Sequence, residues 1–113
     1  NQFEKATKAI SDPNGTIYFL PQTSEYKPLF QIASFLENGT INSSFGNNGF
    51  VDLSFFGKEN HAYAMALTKE GKILVGGYAK NEIRNFALVR LNKNGQLDPT
   101  FGKNGIVTES FLP

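Results

Sequence analysis

The sequence predicts an all-β protein made of two tandem four-stranded antiparallel units. Three observations support this prediction. The chain repeats itself, since the Asn-Gly turn at Gly39 matches the one at Gly95 at an offset of 56 residues (95 − 39 = 56). Turn signals recur at short intervals, and the segments between them are strand-sized and rich in Phe, Ile, Leu and Val. We therefore divide the chain into repeat 1, residues 1–57, and repeat 2, residues 58–113.

The internal repeat is too regular to arise by chance. Residues 15–57 overlay residues 71–113 without a gap and give 12 identities in 43 pairs. Composition alone would give about two or three. The identities are turn residues that tolerate positive φ and apolar residues that anchor a core, namely Gly15/Gly71, Ile17/Ile73, Phe30/Phe86, Asn38/Asn94, Gly39/Gly95, Phe45/Phe101, Gly46/Gly102, Asn48/Asn104, Gly49/Gly105, Val51/Val107, Ser54/Ser110 and Phe55/Phe111.

Repeat 2 has the clearer pattern of strands and turns. A first pair of strands, 62–68 and 72–78, is joined by a tight turn at Glu70-Gly71. A third strand is predicted over 86–92 and a fourth over 106–110, with a chain reversal at Asn94-Gly95 and a short connecting segment between them. The only candidate helix is the stretch from Gln2 to Ile10, because turn residues interrupt every other segment of helical length.

Four short strands repeated at this period are typical of the blades of a β-propeller. The segments 66–77 (ALTKEGKILVGG), 86–91 (FALVRL) and 94–102 (NGQLDPTFG) resemble the delta-60 repeat family of bacterial proteins. This resemblance implies propeller-blade-like repeats and an extracytoplasmic location, in the periplasm, at the cell surface or secreted. It brings no catalytic motif with it.

Repeat 1 departs from that pattern at positions that repeat 2 keeps. Leu20-Pro21 stands where repeat 2 has Gly76-Gly77, and Asn42 stands where repeat 2 has Asp98. We therefore expect the two repeats to have unequal roles, with repeat 1 facing a partner.

Composition excludes several classes of protein. Apolar residues make up 40% and charged residues 19% of the chain, as in ordinary globular proteins. The net charge of +1 is spread along the sequence, so no nucleic-acid-binding surface is predicted. The longest apolar runs, such as Ile73-Leu74-Val75, are too short for a membrane span. The lack of a leader at Asn1 leaves open a mature product, an engineered one or part of a longer protein.

No residue pattern predicts a catalytic, cofactor or metal site. Cysteine is absent, His61 is the only histidine, and no Gly-x-Ser-x-Gly motif occurs. The segment 92–95 followed by Asp98 faintly resembles a calcium loop, but its asparagines lack the charge that such loops need. We interpret it as a hairpin turn and assign Asp98 to an Asx turn that bonds its own backbone. The protein is thus expected not to be an enzyme.

Twelve of the fifteen aromatic residues fall into two groups of six. Those that recur in both repeats are predicted to form the core: Phe30, Phe86, Phe45, Phe101, Phe55 and Phe111. Those without an aromatic counterpart are the candidate partner-facing residues: Tyr18, Phe19, Tyr26, Phe50, Phe56 and Tyr63.

Two blades are too few to bury all of their own faces, since about three repeats are needed for a self-sufficient stack. The missing neighbours could come from identical chains that close a ring, from further blades of a longer chain, or from a different protein. A lone two-blade domain is the remaining possibility. We expect a structural, protein-binding module in a bacterial envelope or secreted assembly. The alternative is a small lectin-like carbohydrate-binding protein that forms a ring by oligomerisation.

Overall fold

The computed structural model describes residues 8–21, 30–53, 59–80 and 84–110. These residues form eight β-strands and no helix. The strands are β1 (Lys8–Ser11), β2 (Ile17–Leu20), β3 (Phe30–Phe35), β4 (Phe50–Leu53), β5 (Glu59–Leu67), β6 (Ile73–Lys80), β7 (Arg84–Leu91) and β8 (Ile106–Ser110). The four strands predicted in repeat 2 correspond to β5 to β8, with shifts of at most three residues at their ends.

The strands form two antiparallel sheets in tandem, which confirms the predicted fold class. Sheet 1 has the order β1-β2-β3-β4 and sheet 2 the order β5-β6-β7-β8. The candidate helix is wrong where it can be judged, because Lys8–Ser11 pairs with β2 as a strand. The rest of that candidate, residues 2–7, lies outside the described residues.

The matching turns of the two repeats have the same backbone geometry. Gly39 and Gly95 both adopt a φ of 92°, which side chains of L-residues rarely allow. In each case the glycine N–H donates to the carbonyl three residues earlier, at 2.9 Å in sheet 1 and 2.8 Å in sheet 2. The sequence identities at these positions thus reflect a repeated backbone conformation.

Alternation along the strands gives each sheet two faces, which we call front and back. The front face of sheet 1, together with Phe45, is between 0 and 9% exposed: Tyr18, Leu20, Phe30, Ile32, Phe45 and Val51. The back face of sheet 2 is between 0 and 5% exposed: Met65, Ile73, Val75, Ala87, Val89 and Leu91. These twelve side chains form one cluster, so the core of the molecule is the contact of one front face with the next back face.

The positions of sheet 2 that match the front face of sheet 1 are less buried, so the prediction of Phe86 as a core residue is corrected. Phe30 and Phe45 are fully buried, but Phe86 is 39% exposed and Phe101 is half-buried. The reason is that Phe86 and Phe101 belong to the front side of sheet 2, on which no further sheet lies among the described residues. Phe55 and Phe111 lie outside the described residues.

A backbone contact accompanies the packing of the two sheets. The N–H of Gly46 in sheet 1 donates to the carbonyl of Asn94 in sheet 2 at 2.7 Å. The neighbouring Gly95 is so close that a Cβ atom there would lie 2.8 Å from the nitrogen of Gly46 and 2.8 Å from Cγ2 of Val51. The matching Gly39 of sheet 1 has nothing within 4 Å of its Cβ position. Two turns with the same φ thus differ only in their neighbours.

We expect Gly95→Ala to destabilise the dilute protein more than Gly39→Ala does. Both variants carry the strain of an L-residue at positive φ, about 1–2 kcal/mol. Only Gly95→Ala adds overlap with sheet 1, which costs about 1–3 kcal/mol more when a packed contact is overfilled. Urea unfolding of both variants at low protein concentration measures the difference. Equal losses of stability would contradict the proposed tight contact.

Candidate functional site

The six candidate partner-facing aromatics do not form one site. Tyr18 is 2% exposed and packs edge-on against Phe45 at 5.5 Å between ring centroids, so it is a core residue and the prediction for it is corrected. Burial, reinforced by the charge of Asp12, raises the pKa of its phenol. Tyr18 lacks an aromatic counterpart because Leu74 takes its place on a less buried face.

The other candidates lie on different surfaces. Phe19 is half-buried on the back face of sheet 1, where its ring meets that of Phe35 at 6.3 Å. Phe50 is 37% exposed at the same face, and Tyr63 is 58% exposed on β5 of sheet 2. Tyr26 and Phe56 lie outside the described residues.

Tyr63 belongs to a small aromatic cluster with His61 and Tyr78. The rings of His61 and Tyr78 stack at 4.9 Å, and the ring of Tyr63 lies 5.6 Å from that of Tyr78. A register shift between β5 and β6 leaves Tyr63 as the extra residue of a β-bulge. Gly77 permits this bulge, since a Cβ atom there would overlap the carbonyl oxygen of His61. The cluster presents aromatic surface to solvent at one end of sheet 2.

The front face of sheet 2 is an apolar surface that is partly exposed. It is formed by the positions that are buried in sheet 1, namely Leu74, Gly76, Phe86, Leu88, Phe101 and Val107, all half-buried or exposed. A hollow of about 240 Å³ lies over Gly76, between Ala64, Leu74 and Leu88. In sheet 1 the position of Gly76 is taken by Leu20, which is fully buried. The front face of sheet 2 is therefore an apolar blade face with a recess at its centre.

An ion-paired carboxylate lies at one end of this front face. Nζ of Lys72 donates to Oδ2 of Asp98 at 2.8 Å, and Nε of Arg90 donates to the same oxygen at 2.9 Å. The other oxygen accepts from the backbone N–H of Thr100 at 3.0 Å and from its hydroxyl at 2.7 Å. The backbone contact confirms the predicted Asx turn. Arg90 also lies over the ring of Phe101, with its guanidinium carbon 4.8 Å from the centroid.

These contacts control the charge of Asp98. The Lys72 ammonium, the Thr100 hydroxyl and N–H, and the Arg90 guanidinium outweigh the cost of burial and hold the pKa of Asp98 well below its usual range. The side chain is only 2% exposed, and both of its oxygens are already engaged by protein donors. Its chemistry is therefore that of a fixed structural anion rather than of a free acid or base.

Repeat 1 has lost all three charges of this cluster together. Thr16 replaces Lys72, Ser34 replaces Arg90, and Asn42 replaces Asp98. Nδ2 of Asn42 donates to Oγ of Ser34 at 3.2 Å, so a neutral hydrogen bond stands where sheet 2 has an ion pair. Ser34 is fully buried on the side that sheet 2 covers. The overlay of the two repeats identified the difference between Asp98 and Asn42. It did not identify Lys72 and Arg90, because only the strand register brings these two side chains to Asp98.

A second cleft, of about 390 Å³, separates the hairpin turns of the two sheets. It is lined by residues of both charges, among them Asp12, Glu70 and Lys93. Oδ1 of Asp12 accepts the backbone N–H groups of Asn14 and Thr16, at 2.9 and 3.0 Å, and so serves the turn. No group of three His, Cys, Asp or Glu residues that could hold a metal occurs among the residues described. We find no convergent set of polar groups in this cleft.

Comparison with known proteins agrees with the blade geometry. The model of a family described as a domain of unknown function (DUF5122) beta-propeller matches residues 70–101. The match supports a β-propeller-type repeat family over that stretch. No curated protein and no solved structure matches the chain. In the described ranges, no helix is long and apolar enough to cross a membrane.

We expect Asp98→Asn to destabilise the protein in a pH-dependent way. The folded pKa lies below the unfolded value of about 3.9, so the stabilisation is fully present above about pH 5. It is lost as the pH falls through the unfolded value toward the folded one. The difference in free energy of unfolding between wild type and Asp98→Asn should therefore shrink from pH 6 to pH 2, as measured by urea unfolding across that range.

Asp52→Asn is the matched control. Asp52 is exposed and accepts a hydrogen bond from the neutral side-chain amide of Gln31, at 2.6 Å. Its replacement should change stability less than Asp98→Asn does at pH 6. A stability difference for Asp98→Asn that stays constant down to pH 2 would refute the role of the ion pairs.

Proposed function

We propose that this β-propeller-like chain is a non-enzymatic structural module that binds protein through the front face of sheet 2. One observation carries the proposal. The front face of sheet 1 is buried under a sheet, whereas the matching face of sheet 2 is apolar and partly exposed, with Phe86 at 39%. Contiguous exposed apolar faces of this kind mark interaction sites in soluble proteins. The natural occupant of such a face is another β-sheet.

The polar groups of the chain support a structural rather than a catalytic role. Asp98 is engaged by Lys72, Arg90 and Thr100, and the ring of His61 is stacked on Tyr78. Both oxygens of Asp98 are thus taken up by contacts that fix a turn and two basic side chains. A place in a bacterial cell-envelope or secreted assembly is part of the proposal and is supported by the resemblance to delta-60 repeats alone.

The proposal is tested by native mass spectrometry of the chain purified gently from its own source. We expect it to carry bound protein, and we expect Gly76→Glu to remove that protein. Gly76 has room for a Cβ atom, since the nearest atom is Cδ1 of Leu88 at 3.7 Å, so the variant blocks the face without disturbing the sheet. A residue with a side chain in place of a strand glycine does not weaken the strand itself.

Thr108→Glu is the matched control, because it adds the same charge at an exposed position on the other side of sheet 2. It should leave the bound protein in place. A chain that carries no bound protein of any kind, or an association that survives Gly76→Glu, would refute the proposal.

A second candidate function is carbohydrate binding, which the cluster of His61, Tyr63 and Tyr78 favours. Exposed aromatic rings with polar edges are suited to sugars, whose two faces are apolar and whose rims are polar. Tyr63 is the most accessible of the three at 58% exposure. A glycan array should then show binding that Tyr63→Ala abolishes and Phe50→Ala does not. An array without hits would remove this candidate.

A further inference from the structure

We propose that the protein that covers the front face of sheet 2 is a second copy of this chain, docked head to tail through the back face of its sheet 1. The inference rests on the proposed function and names its partner. Within the chain, the front face of sheet 1 already packs on the back face of sheet 2. Two faces are left over, because no sheet covers them among the described residues: the front of sheet 2 and the back of sheet 1. They are of the two kinds that this contact joins. A heterologous interface can repeat in this way from copy to copy.

At two positions on each side, the leftover face differs in size from its buried counterpart, and the two sides differ in opposite directions. On the front side, Leu20 and Tyr18 of sheet 1 become the smaller Gly76 and Leu74 in sheet 2. On the back side, Val75 and Leu91 of sheet 2 become the larger Phe19 and Phe35 in sheet 1. The hollow of about 240 Å³ over Gly76 is thus matched by two half-buried phenylalanine rings on the other leftover face. Close packing needs this kind of compensation.

The backbone contact between the sheets also has an unused counterpart. Gly46 donates its N–H to the carbonyl of Asn94 across the internal interface. The matching groups are the N–H of Gly102 and the carbonyl of Asn38, and neither has a hydrogen-bond partner among the described contacts. Gly39 lies beside that carbonyl and has open space around its Cβ position, whereas the same space at Gly95 is occupied by Gly46 and Val51. A second copy in the same register would join Gly102 of one chain to Asn38 of the other.

The ion cluster fits the same arrangement. Ser34 is fully buried by the internal contact, so the matching Arg90 would be covered by a second copy. A buried charge without a partner is costly. Arg90 is already paired with Asp98 at 2.9 Å and lies over Phe101, so it can be covered without leaving an uncompensated charge. The need to pair a covered Arg90 accounts for the carboxylate of Asp98 in repeat 2, where repeat 1 has the amide of Asn42.

Blocking one face at a time tests the proposal by sedimentation velocity. The wild type should associate with rising concentration. Gly76→Glu blocks the front face of sheet 2, and Phe19→Glu blocks the back face of sheet 1. Each variant alone should self-associate at least tenfold more weakly than the wild type. Their equimolar mixture should form a 1:1 dimer and nothing larger, because each copy keeps the face that the other needs.

Five results would overturn the proposal. Single variants that associate as the wild type does would show that other surfaces are used. A mixture that stays monomeric would exclude the head-to-tail contact. If Gly76→Glu weakens self-association but the Phe19→Glu variant still dimerises, the contact is a symmetric one between two front faces. A wild type that is monomeric at about 100 μM, or one that binds only a different protein, would refute the second copy while leaving the proposed function standing.

Two further variants extend the test. If circular dichroism shows that Phe19→Glu is unfolded, Phe50→Glu takes its place, since Phe50 is 37% exposed and matches Ile106, which packs on the core. Gly39→Ala tests the backbone contact. It meets nothing within the chain, but it should weaken self-association about tenfold if the turn of Gly39 docks as the turn of Gly95 does.

Discussion

The contact between the front face of sheet 1 and the back face of sheet 2 is the interaction on which the rest of this structure depends. Each of the two sheets is a four-stranded meander that cannot bury a core by itself. Their contact encloses twelve side chains in a single cluster. Full burial of a large apolar side chain is worth about 1.5–3 kcal/mol, so this one interface supplies most of the hydrophobic stabilisation that the described residues can provide.

The two sheets use different faces for this contact, and that asymmetry determines what remains exposed. In a symmetric interface, the same face of both sheets would meet, and the opposite face of both sheets would remain uncovered. Here a front face and a back face are left over among the described residues, and the proposed head-to-tail contact joins them. The proposed contact places the Phe19 and Phe35 rings of one copy opposite the Gly76 hollow of the next. A function in assembly follows more directly from this geometry than one in catalysis.

Much of the fold could be predicted from the sequence because turns and apolar alternation are local properties. The Asn-Gly turns at Gly39 and Gly95 and the strand β8 (Ile106–Ser110) follow from residues that are close in sequence. The exposure of Phe86 could not be predicted in this way, because it depends on whether another sheet lies over it. The burial of Tyr18 was missed for the same reason, since a lack of repeat symmetry reflects unequal neighbours and not exposure.

The candidate site also depends on register, which a sequence overlay does not show. Lys72 and Arg90 lie 26 and 8 residues from Asp98, and only the pairing of β6 with β7 brings them to one carboxylate. The bulge that exposes Tyr63 likewise appears only when β5 is paired with β6. In contrast, the Leu20-to-Gly76 difference was visible in the sequence, and its meaning became clear once Leu20 proved to be fully buried.

The most direct test of the central claim is the solvent accessibility of Leu74 and Leu88 as a function of protein concentration. Their methyl groups can be followed by NMR in the presence of a soluble paramagnetic probe, with Leu36, which is 41% exposed, as the reference. If the front face of sheet 2 docks as that of sheet 1 does, the Leu74 and Leu88 methyls lose their relaxation enhancement as the concentration rises while Leu36 keeps more of its own. Methyl groups that stay equally accessible at every concentration would contradict it.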